Sequence, residues 1–410
     1  MRHDREDKQV KKQIFEYMIL FAIICISFTS CSNTASVSTL PNQDSYARLN
    51  DISPEKISEQ KLNVTGEIRD VQFADFGILV SSANKPVKNV QYIAFFDSNY
   101  QKIWEVKATL TFNRIKLFTK ELTVIDTGEK LVAYNYKGDN LWNADSLGDI
   151  DSAYFPDHHG GVFALVPDYT RSPSACMQCH ISNTGKLEET KTYEGIGDFS
   201  PLRSYIVNQE KWLCGELDTN KRFLAKLSDD LKVEQIFTLK ENQYPNVAFD
   251  YEKDRIILFG QAYEDNHEYG FIYTLDTDCR QKAYQTFDLV PCSLVVLKSE
   301  ELAVSFYDRS NMVKSHLRIF NTALKEIKTI SIDFGFTELF RCEDGGFAVS
   351  GGRLSPGQPY SALVTDSVQP DMDRIVARYN SKHTLLSRKN YLDKNSYNYF
   401  VTDNGTVLIS

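Results

Sequence analysis

A CxxCH segment, Cys176-Met177-Gln178-Cys179-His180, is the stretch of this 410-residue chain with the most recognisable chemistry. In covalent haem attachment two thiols at this spacing form thioethers to the porphyrin, and the imidazole binds the iron. The three groups must converge, as one turn of helix allows. On an extended strand, residues three apart point to opposite faces and lie about 10 Å apart. The motif therefore indicates haem c only if Cys176 to Gln178 curl as a loop.

The elements around the motif decide between these alternatives. Cys179 opens the tetrapeptide CHIS, whose counterparts elsewhere in the chain are ordinary strand residues. We therefore expect no cofactor, with Cys176 and Cys179 in a structural or disulfide-forming role. Haem c held by Cys176, Cys179 and His180 is the alternative. No metal site is predicted, because the sequence has no second CxxC or HxxxH half-site.

Other residue types that support catalysis do not form a recognisable pattern. His158 and His159 fall on a predicted turn, where adjacent histidines are usually solvated. No Ser-His-Asp order, glycine-rich phosphate loop or paired-carboxylate motif stands out. The formal net charge is −9, and an acidic chain without a basic patch argues against nucleic acid as a partner. A binding role is therefore favoured over an enzymatic one.

A short repeat organises the rest of the chain. Its third residue is always apolar, and its fourth is Asn, Asp or Ser, which bond their own backbone and start turns. Successive copies lie 47, 38, 47, 46, 48, 45 and 59 residues apart, a period typical of propellers. The copies are ARLN at Ala47, AFFD at Ala94, VAYN at Val132, CHIS at Cys179, AKLS at Ala225, YTLD at Tyr273, RIFN at Arg318 and ARYN at Ala377.

Each repeat predicts an outer β-hairpin (strands C and D), and an apolar strand pair (A and B) lies between successive hairpins. Four short antiparallel strands per period predict one propeller blade. The chain ends on an A–B pair at 397–410, and after the linker it begins on an outer hairpin at 46–62. Joining them predicts an all-β propeller of eight blades over 46–410, with one blade built from both termini. A seven-bladed ring is the alternative if 46–62 is only linker.

The repeats resemble those of eight-bladed quinoprotein-like propellers, which often end in Leu-Trp or Ile-Trp. QKIW, ending at Trp104, and DNLW, ending at Trp142, match that ending, and DGGFAVSGGRL at 344–354 resembles their inner strands. In architecture the chain also resembles the propeller scaffold lipoproteins of outer-membrane barrel assembly. The resemblance implies a scaffold for envelope proteins. A quinoprotein enzyme is disfavoured because the chain lacks the adjacent Cys pair that those dehydrogenases use.

The first thirty residues have the form of a bacterial lipoprotein signal peptide. A positive segment precedes an apolar run from Ile14 to Phe28, which ends at Phe28-Thr29-Ser30-Cys31. Cys31 is the predicted lipid attachment residue, followed by a linker at 31–45. Ser32, in place of Asp, favours delivery to the outer membrane. We expect a bacterial envelope protein held to the membrane through the lipid on Cys31.

A partner protein or ligand is expected on the propeller face that carries the B–C and D–A loops. Several of these loops are rich in Tyr, Arg and Asp, and Tyr and Arg are frequent in interface hot spots. The D–A loops add Tyr193, Tyr244, Tyr391 and Tyr397. The B–C residues predicted to form this binding face are Asp168, Tyr169, Arg171, Tyr263, Asp265, Tyr307, Asp308, Arg309 and Arg353.

Overall fold

The structure is a computed structural model of the whole chain. It describes residues 57–409 except 75, 84–89, 110–114, 128, 148–151, 169–174, 197–198, 218–219, 266, 308–314, 355–371 and 392–398. The lipid attachment residue Cys31, the repeat at Ala47 and binding-face residues Tyr169, Arg171, Asp308 and Arg309 lie outside the described residues.

Seven sheets each have four antiparallel strands in chain order, and each forms one blade. Blade 1 consists of β2 (Glu67–Ala74), β3 (Gly77–Ala83), β4 (Val90–Phe96) and β5 (Lys102–Thr109), after β1 (Glu59–Lys61). Blade 2 consists of β6 (Ile115–Phe118), β7 (Thr123–Asp126), β8 (Lys130–Tyr134) and β9 (Asn140–Asp145). Blade 3 consists of β10 (Ala153–Pro156), β11 (Val162–Asp168), β12 (Ala175–Ile181) and β13 (Leu187–Thr192).

The remaining complete blades repeat this order. Blade 4 consists of β14 (Phe199–Val207), β15 (Glu210–Leu217), β16 (Lys221–Leu227) and β17 (Val233–Glu241). Blade 5 consists of β18 (Gln243–Asp250), β19 (Arg255–Glu264), β20 (His267–Asp276) and β21 (Gln281–Phe287), with a 3-10 turn at Tyr251–Lys253. Blade 6 consists of β22 (Val290–Val296), β23 (Leu302–Tyr307), β24 (Ser315–Phe320) and β25 (Glu326–Ser331). Blade 7 consists of β26 (Gly335–Arg341), β27 (Phe347–Leu354), β28 (Met372–Tyr379) and β29 (Leu385–Tyr391).

Blade 8 joins the two ends of the propeller. Its inner strands are β30 (Phe400–Val401) and β31 (Val407–Ile409), and β1 pairs with β31 through Gln60 opposite Leu408. The eight-bladed prediction is confirmed, and the seven-bladed alternative is wrong. Most of the predicted outer hairpin at 46–62 lies outside the described residues, and the part that is described, β1, runs parallel to β31. No B–C loop connects β1 to β31, so chain connectivity does not impose an antiparallel direction.

The repeated Asn, Asp or Ser shapes the C–D turn in all seven complete blades. In blade 6 the Asn321 side chain accepts hydrogen bonds from the amides of Ala323 and Lys325, at 3.1 and 2.9 Å. Three residues after the repeated position the backbone has positive φ in every one of these turns. That position is occupied by Tyr100, Gly138, Gly185, Leu231, Cys279, Leu324 and His383. Where Leu231 and Leu324 occupy it, the side chain is buried beneath the turn.

Eight apolar clusters hold the blades together, one between each pair of neighbours. The cluster between blades 2 and 3, for example, contains Trp142, whose indole nitrogen donates to the Gly160 carbonyl at 2.7 Å. Two clusters join blade 8 to its neighbours: Phe400 packs with Phe96 of blade 1, and Val401 packs with Val376 of blade 7. The ring is therefore closed by side-chain packing as well as by the short β1–β31 pairing.

The A strands line the centre and the D strands form the outer rim, where β13 and β25 are almost fully exposed. This places the B–C and D–A connections on one face and the A–B and C–D turns on the other. No helix among the described residues is long and apolar enough to cross a membrane.

Candidate binding face

The CxxCH segment lies within strand β12, and Cys176 to Gln178 do not curl as a loop. Cys176 packs in the cluster between blades 3 and 4, whereas Cys179 packs in the cluster between blades 2 and 3. The two thiols therefore point to opposite faces of blade 3. Both are free thiols, and their separation along an extended strand is too large for a disulfide. The arrangement does not fit haem c, because both sulfurs and the His180 imidazole would have to reach the same haem.

The chemistry of these thiols agrees with a packing role. Burial, and then the nearby Cys179, raise the pKa of Cys176 to about 12. Burial also raises the pKa of Cys179, although a contact from the Thr190 hydroxyl opposes the shift. A thiol reacts as its thiolate, so neither group is activated at neutral pH.

His180 stabilises a turn of its own blade. Its ring stacks on Phe163 with the centroids 4.6 Å apart, and Nε2 lies 3.0 Å from the Asp157 carboxylate. Asp157 also accepts hydrogen bonds from the amides of His159 and Gly161, each at 2.8 Å. Burial acts against the Asp157 charge, but these bonds lower its pKa overall. His158 and His159 are exposed on this A–B turn, on the face opposite the B–C loops.

The described residues of the predicted binding face all lie at B–C ends. Asp168 and Tyr307 end strands β11 and β23, Tyr263 is the penultimate residue of β19, and Asp265 follows that strand. Arg353 lies near the end of β27. These strand ends belong to four different blades and lie on the same face of the ring, and a binding role for these residues stays a prediction.

Blades 4 and 5 build a continuous row of side chains on this face. The Arg222 guanidinium donates two hydrogen bonds to one Glu216 oxygen, at 2.9 and 2.8 Å, and lies 4.0 Å from the centre of the Tyr244 ring. Tyr244 meets Tyr263 edge to face at 5.9 Å. The Tyr263 hydroxyl donates to Glu268 at 3.0 Å. We call these five residues the Arg–Tyr row.

Backbone hydrogen bonds hold the Arg–Tyr row in place. The Asn242 amide donates to the Asn220 carbonyl, and the Tyr263 amide donates to the Asn242 carbonyl, each at 3.2 Å. These bonds connect the B–C turn of blade 4 to the D–A turn before blade 5 and on to the B–C turn of blade 5. The row is therefore preorganised, which reduces the entropy lost when a partner binds.

A second group on the same face belongs to blade 7. Asp333, in the D–A connection, bonds Arg388 through both carboxylate oxygens, at 2.7 and 3.0 Å. Arg353 donates to Asp333 at 3.1 Å and to Asp373 at 3.4 Å. Burial opposes the Asp333 charge, but hydrogen bonds and charge from Arg388, together with the Arg353 charge, lower its pKa. Arg353 is thus fixed by two carboxylates while more than a third of its side chain is exposed.

Solved structures of several proteins have the same fold. Sqt1 from Saccharomyces cerevisiae is 10% identical, with 86% of this chain and 99% of that chain covered and a TM-score of 0.52. Sqt1 from Chaetomium thermophilum is 9% identical, with 86% and 94% covered and a TM-score of 0.51. The β-propeller domain of Myceliophteria thermophila Cps50 (Swd1) is 8% identical, with 81% of this chain and 98% of that chain covered and a TM-score of 0.44. At these identities the likeness concerns the fold alone. The chain matches no family model and none of the curated proteins.

Sequence reasoning missed part of this face and included residues that are buried. Tyr193 and Tyr391, expected in D–A loops, are buried: Tyr193 donates to the Leu231 carbonyl at 2.7 Å, and Tyr391 stacks on Tyr399 at 4.1 Å. Tyr397 lies outside the described residues. Arg222 and Arg388 were missed because one charged residue at the end of a strand carries no pattern. Their proximity to Tyr244 and Asp333 arises only when neighbouring blades come together.

Proposed function

We propose that the protein is a lipid-anchored scaffold of the bacterial cell envelope that binds another envelope protein through its B–C and D–A face. The Arg–Tyr row is the observation that supports this proposal most directly. Tyr and Arg contribute most to hot spots when they are preorganised and partly desolvated, as Tyr244 and Arg222 are. The propeller fold suits such a role because its loops form a broad surface on a rigid ring.

Site-specific photo-crosslinking in a cell that exports and lipidates the protein tests the binding face. A crosslinking residue replaces Tyr263 or Arg353 on this face, and Asp230 on the opposite face as the control. We expect the same protein to be captured from Tyr263 and Arg353 and not from Asp230. The capture should be lost when Tyr244→Ala is added to the Arg353 probe. Equal capture from both faces, or none from either, contradicts the proposal.

The proposed anchor has its own test. Cys31→Ser should abolish incorporation of a labelled fatty acid and release the protein from the outer-membrane fraction. Ser32→Asp should keep the lipid but move the protein to the inner membrane, because Asp after the lipidated Cys opposes delivery to the outer membrane. Lipid incorporation that survives in Cys31→Ser overturns this part of the proposal and leaves the binding face untouched.

The same proposal makes the CxxCH segment a structural element. Produced in a host with cytochrome c maturation, the protein is expected to be colourless, with the mass of the lipidated chain. A reduced-haem absorption band and the added mass of one haem would instead support the electron-transfer alternative with Cys176, Cys179 and His180. Cys176→Ala should then remove the colour.

A further inference from the structure

Every complete blade has one unpaired residue near the start of its outermost strand. In blade 6, Ile327 lies between the paired residues Glu326 and Lys328 and is left out of the ladder as a β-bulge. The same register shift recurs in the other six complete blades, so one position can be compared around the outer rim. From blade 1 to blade 7 its occupants are Ile103, Leu141, Glu188, Glu234, Lys282, Ile327 and Leu386.

The chemistry of this bulge divides the ring in two. The residue is charged in blades 3, 4 and 5 and apolar in blades 6, 7, 1 and 2, which lie on either side of blade 8. Ile103, Leu141 and Ile327 are 42, 41 and 48% exposed. Blade 8 is also where the chain from the proposed anchor Cys31 enters the propeller, since Ile57 packs in the cluster between blades 7 and 8. The apolar bulges are therefore centred on the blade to which the proposed anchor is attached.

Basic side chains surround the apolar bulges of blades 6 and 7. From the C–D turn to the end of the outer strand these blades span 321–331 and 380–391, and every residue of both spans is described. Glu326 is the acidic residue in them. The basic residues are Lys325, Lys328, Lys382, Arg388 and Lys389.

The equivalent spans of blades 3 and 4, at 182–192 and 228–241, have the opposite balance of charge. They contain four basic and six acidic residues. Leu187 and Ile236 are exposed there, at 49 and 43%, but they lie on outer strands that also carry several carboxylates. Apolar exposure alone consequently does not distinguish blades 6 and 7, whereas apolar exposure together with basic charge does.

Two of the five basic groups of blades 6 and 7 are neutralised within the protein. Arg388 bonds the Asp333 carboxylate, and Lys389 pairs with Glu59 of blade 8. The other three are exposed and have no carboxylate partner in the part of the chain that the structure describes. They are Lys325, Lys328 and Lys382.

Contacts between blades make this basic and apolar surface continuous. The Lys328 ammonium of blade 6 donates to the Lys382 and His383 carbonyls of blade 7, at 3.4 and 2.9 Å. The pair between Lys389 and Glu59 then connects blade 7 to β1 of blade 8. We use the name lysine rim for Lys325, Ile327, Lys328, Lys382 and Leu386.

We propose that the lysine rim lies against an anionic membrane surface, with its ammonium groups at the lipid phosphates and Ile327 and Leu386 in the headgroup layer. Basic and apolar side chains on one surface are typical of interfacial membrane binding. A protein interface fits less well, because Lys is depleted at such interfaces and these apolar residues are separated by lysines. The inference rests on the proposed lipid anchor, which joins the membrane to the neighbouring blade 8.

Fluorescence quenching of the mature lipoprotein in vesicles tests this contact. An environment-sensitive dye is attached to Ile327→Cys, in a Cys292→Ser background that removes the exposed thiol. Ile236→Cys, at a residue of similar exposure on β17, is the matched control. In vesicles of phosphatidylcholine and phosphatidylglycerol with a nitroxide-labelled lipid, we expect quenching of the dye at 327 and little at 236. Vesicles without phosphatidylglycerol should quench the dye at 327 much less.

Lysine variants then test the charge. Lys325→Gln together with Lys382→Gln should reduce the quenching at 327, since each lysine near an anionic surface contributes about fivefold to the equilibrium constant for contact. Lys186→Gln together with Lys232→Gln is the matched control and should leave the quenching unchanged. These two lysines are exposed and occupy the turn position of Lys325 in blades 3 and 4.

Flotation of the protein with the vesicles reports the anchor separately. If the lipoprotein floats but the dye is unquenched at 327, or quenched equally at 327 and 236, the lysine rim does not face the membrane and the anchor stands. Quenching that ignores both phosphatidylglycerol and the lysine variants also overturns the proposal. A dye at 327 that is shifted to the blue but not quenched would show that protein covers the rim instead. A lipoprotein that does not float contradicts the anchor, and this inference fails with it.

Discussion

Asp333 shows how one residue fixes the predicted binding residue Arg353. Its carboxylate bonds Arg388 through two oxygens and also accepts from Arg353, so it joins strands β27 and β29 of blade 7. The group is mostly buried, with side-chain exposures of 15% for Asp333 and 16% for Arg388. A bidentate pair in such surroundings is worth more than an exposed one.

The Asp333 contacts predict a pH-dependent effect of removing Arg388. Arg388→Ala should lower the free energy of unfolding by about 1–3 kcal/mol at pH 7. Because the folded pKa of Asp333 is lowered, its stabilisation is complete above the unfolded pKa of about 3.9 and disappears as pH falls through the folded value. The difference between wild type and variant in urea unfolding should therefore shrink below about pH 4.

Arg280→Ala is the matched control for this experiment. Its partner Asp278 is exposed, as is Arg280 itself at 72%, so this pair should contribute almost nothing at any pH. If the stability difference between wild type and Arg388→Ala stays constant as the pH falls, Arg388 acts by packing on Phe334 rather than through the Asp333 charge.

The C–D turn is the element that recurs most faithfully in this chain. Its Asx-type hydrogen bonds follow from the repeated fourth residue, which the sequence reveals directly. Its positive-φ position is less visible, because only Gly138 and Gly185 mark it with glycine. At Leu324 a buried side chain outweighs the strain of a left-handed backbone, so a side-chain contact has replaced the usual residue preference.

Two substitutions at Leu324 should reverse the ordinary ranking of alanine and glycine. Leu324→Ala should lower the free energy of unfolding by about 2–5 kcal/mol, because it empties a buried site between blades 5 and 6. Leu324→Gly loses the same contacts but adopts positive φ without strain, so it should be as stable as Leu324→Ala or more stable. Chemical denaturation of both variants measures the difference. A glycine variant about 1 kcal/mol less stable than the alanine variant contradicts the assigned backbone conformation.

The sequence predicted the strands and the blade count because both repeat locally. Every complete blade has its A–B pair and its outer hairpin where the period places them. The sites were less predictable, because they join residues of different repeats: Arg222 meets Tyr244 across a blade boundary, and the Asp70 charge of blade 1 acts on Glu338 of blade 7. The CxxCH motif is recognisable because it is local, but the extended strand places Cys176 and Cys179 in two different apolar clusters.

Closure of the whole ring depends on a short segment near the N-terminal end of the propeller. Leu62 is almost fully buried against blade 1 and blade 8, and its amide donates to the Ile409 carbonyl at 2.8 Å. Leu62→Pro removes this hydrogen bond as well as the packing, whereas Leu62→Ala removes only packing. We expect the proline variant to unfold at lower urea concentration, with about 1–3 kcal/mol less stability than the alanine variant. Equal stabilities would show that side-chain packing alone closes the ring.

The Glu338 carboxylate should be detectable from Cys292, which is the exposed thiol among the six described cysteines, although desolvation raises its pKa and slows its reaction. Cys292 lies in the register shift of β22, and its sulfur is 3.9 Å from the carbonyl of Thr337, the residue before Glu338. A cationic methanethiosulfonate should therefore modify Cys292 several-fold faster than an anionic one of similar size, about as expected for one nearby unit charge at an effective dielectric of 20–80. Glu338→Gln should reduce that preference, and Glu234→Gln on the outer rim should not. The rates are measured by intact mass at low salt, with Cys292→Ser identifying the reacting thiol. Equal rates for the two reagents in the unmodified protein would mean that the Glu338 charge does not act on Cys292, and the expected proximity of the two side chains would be wrong.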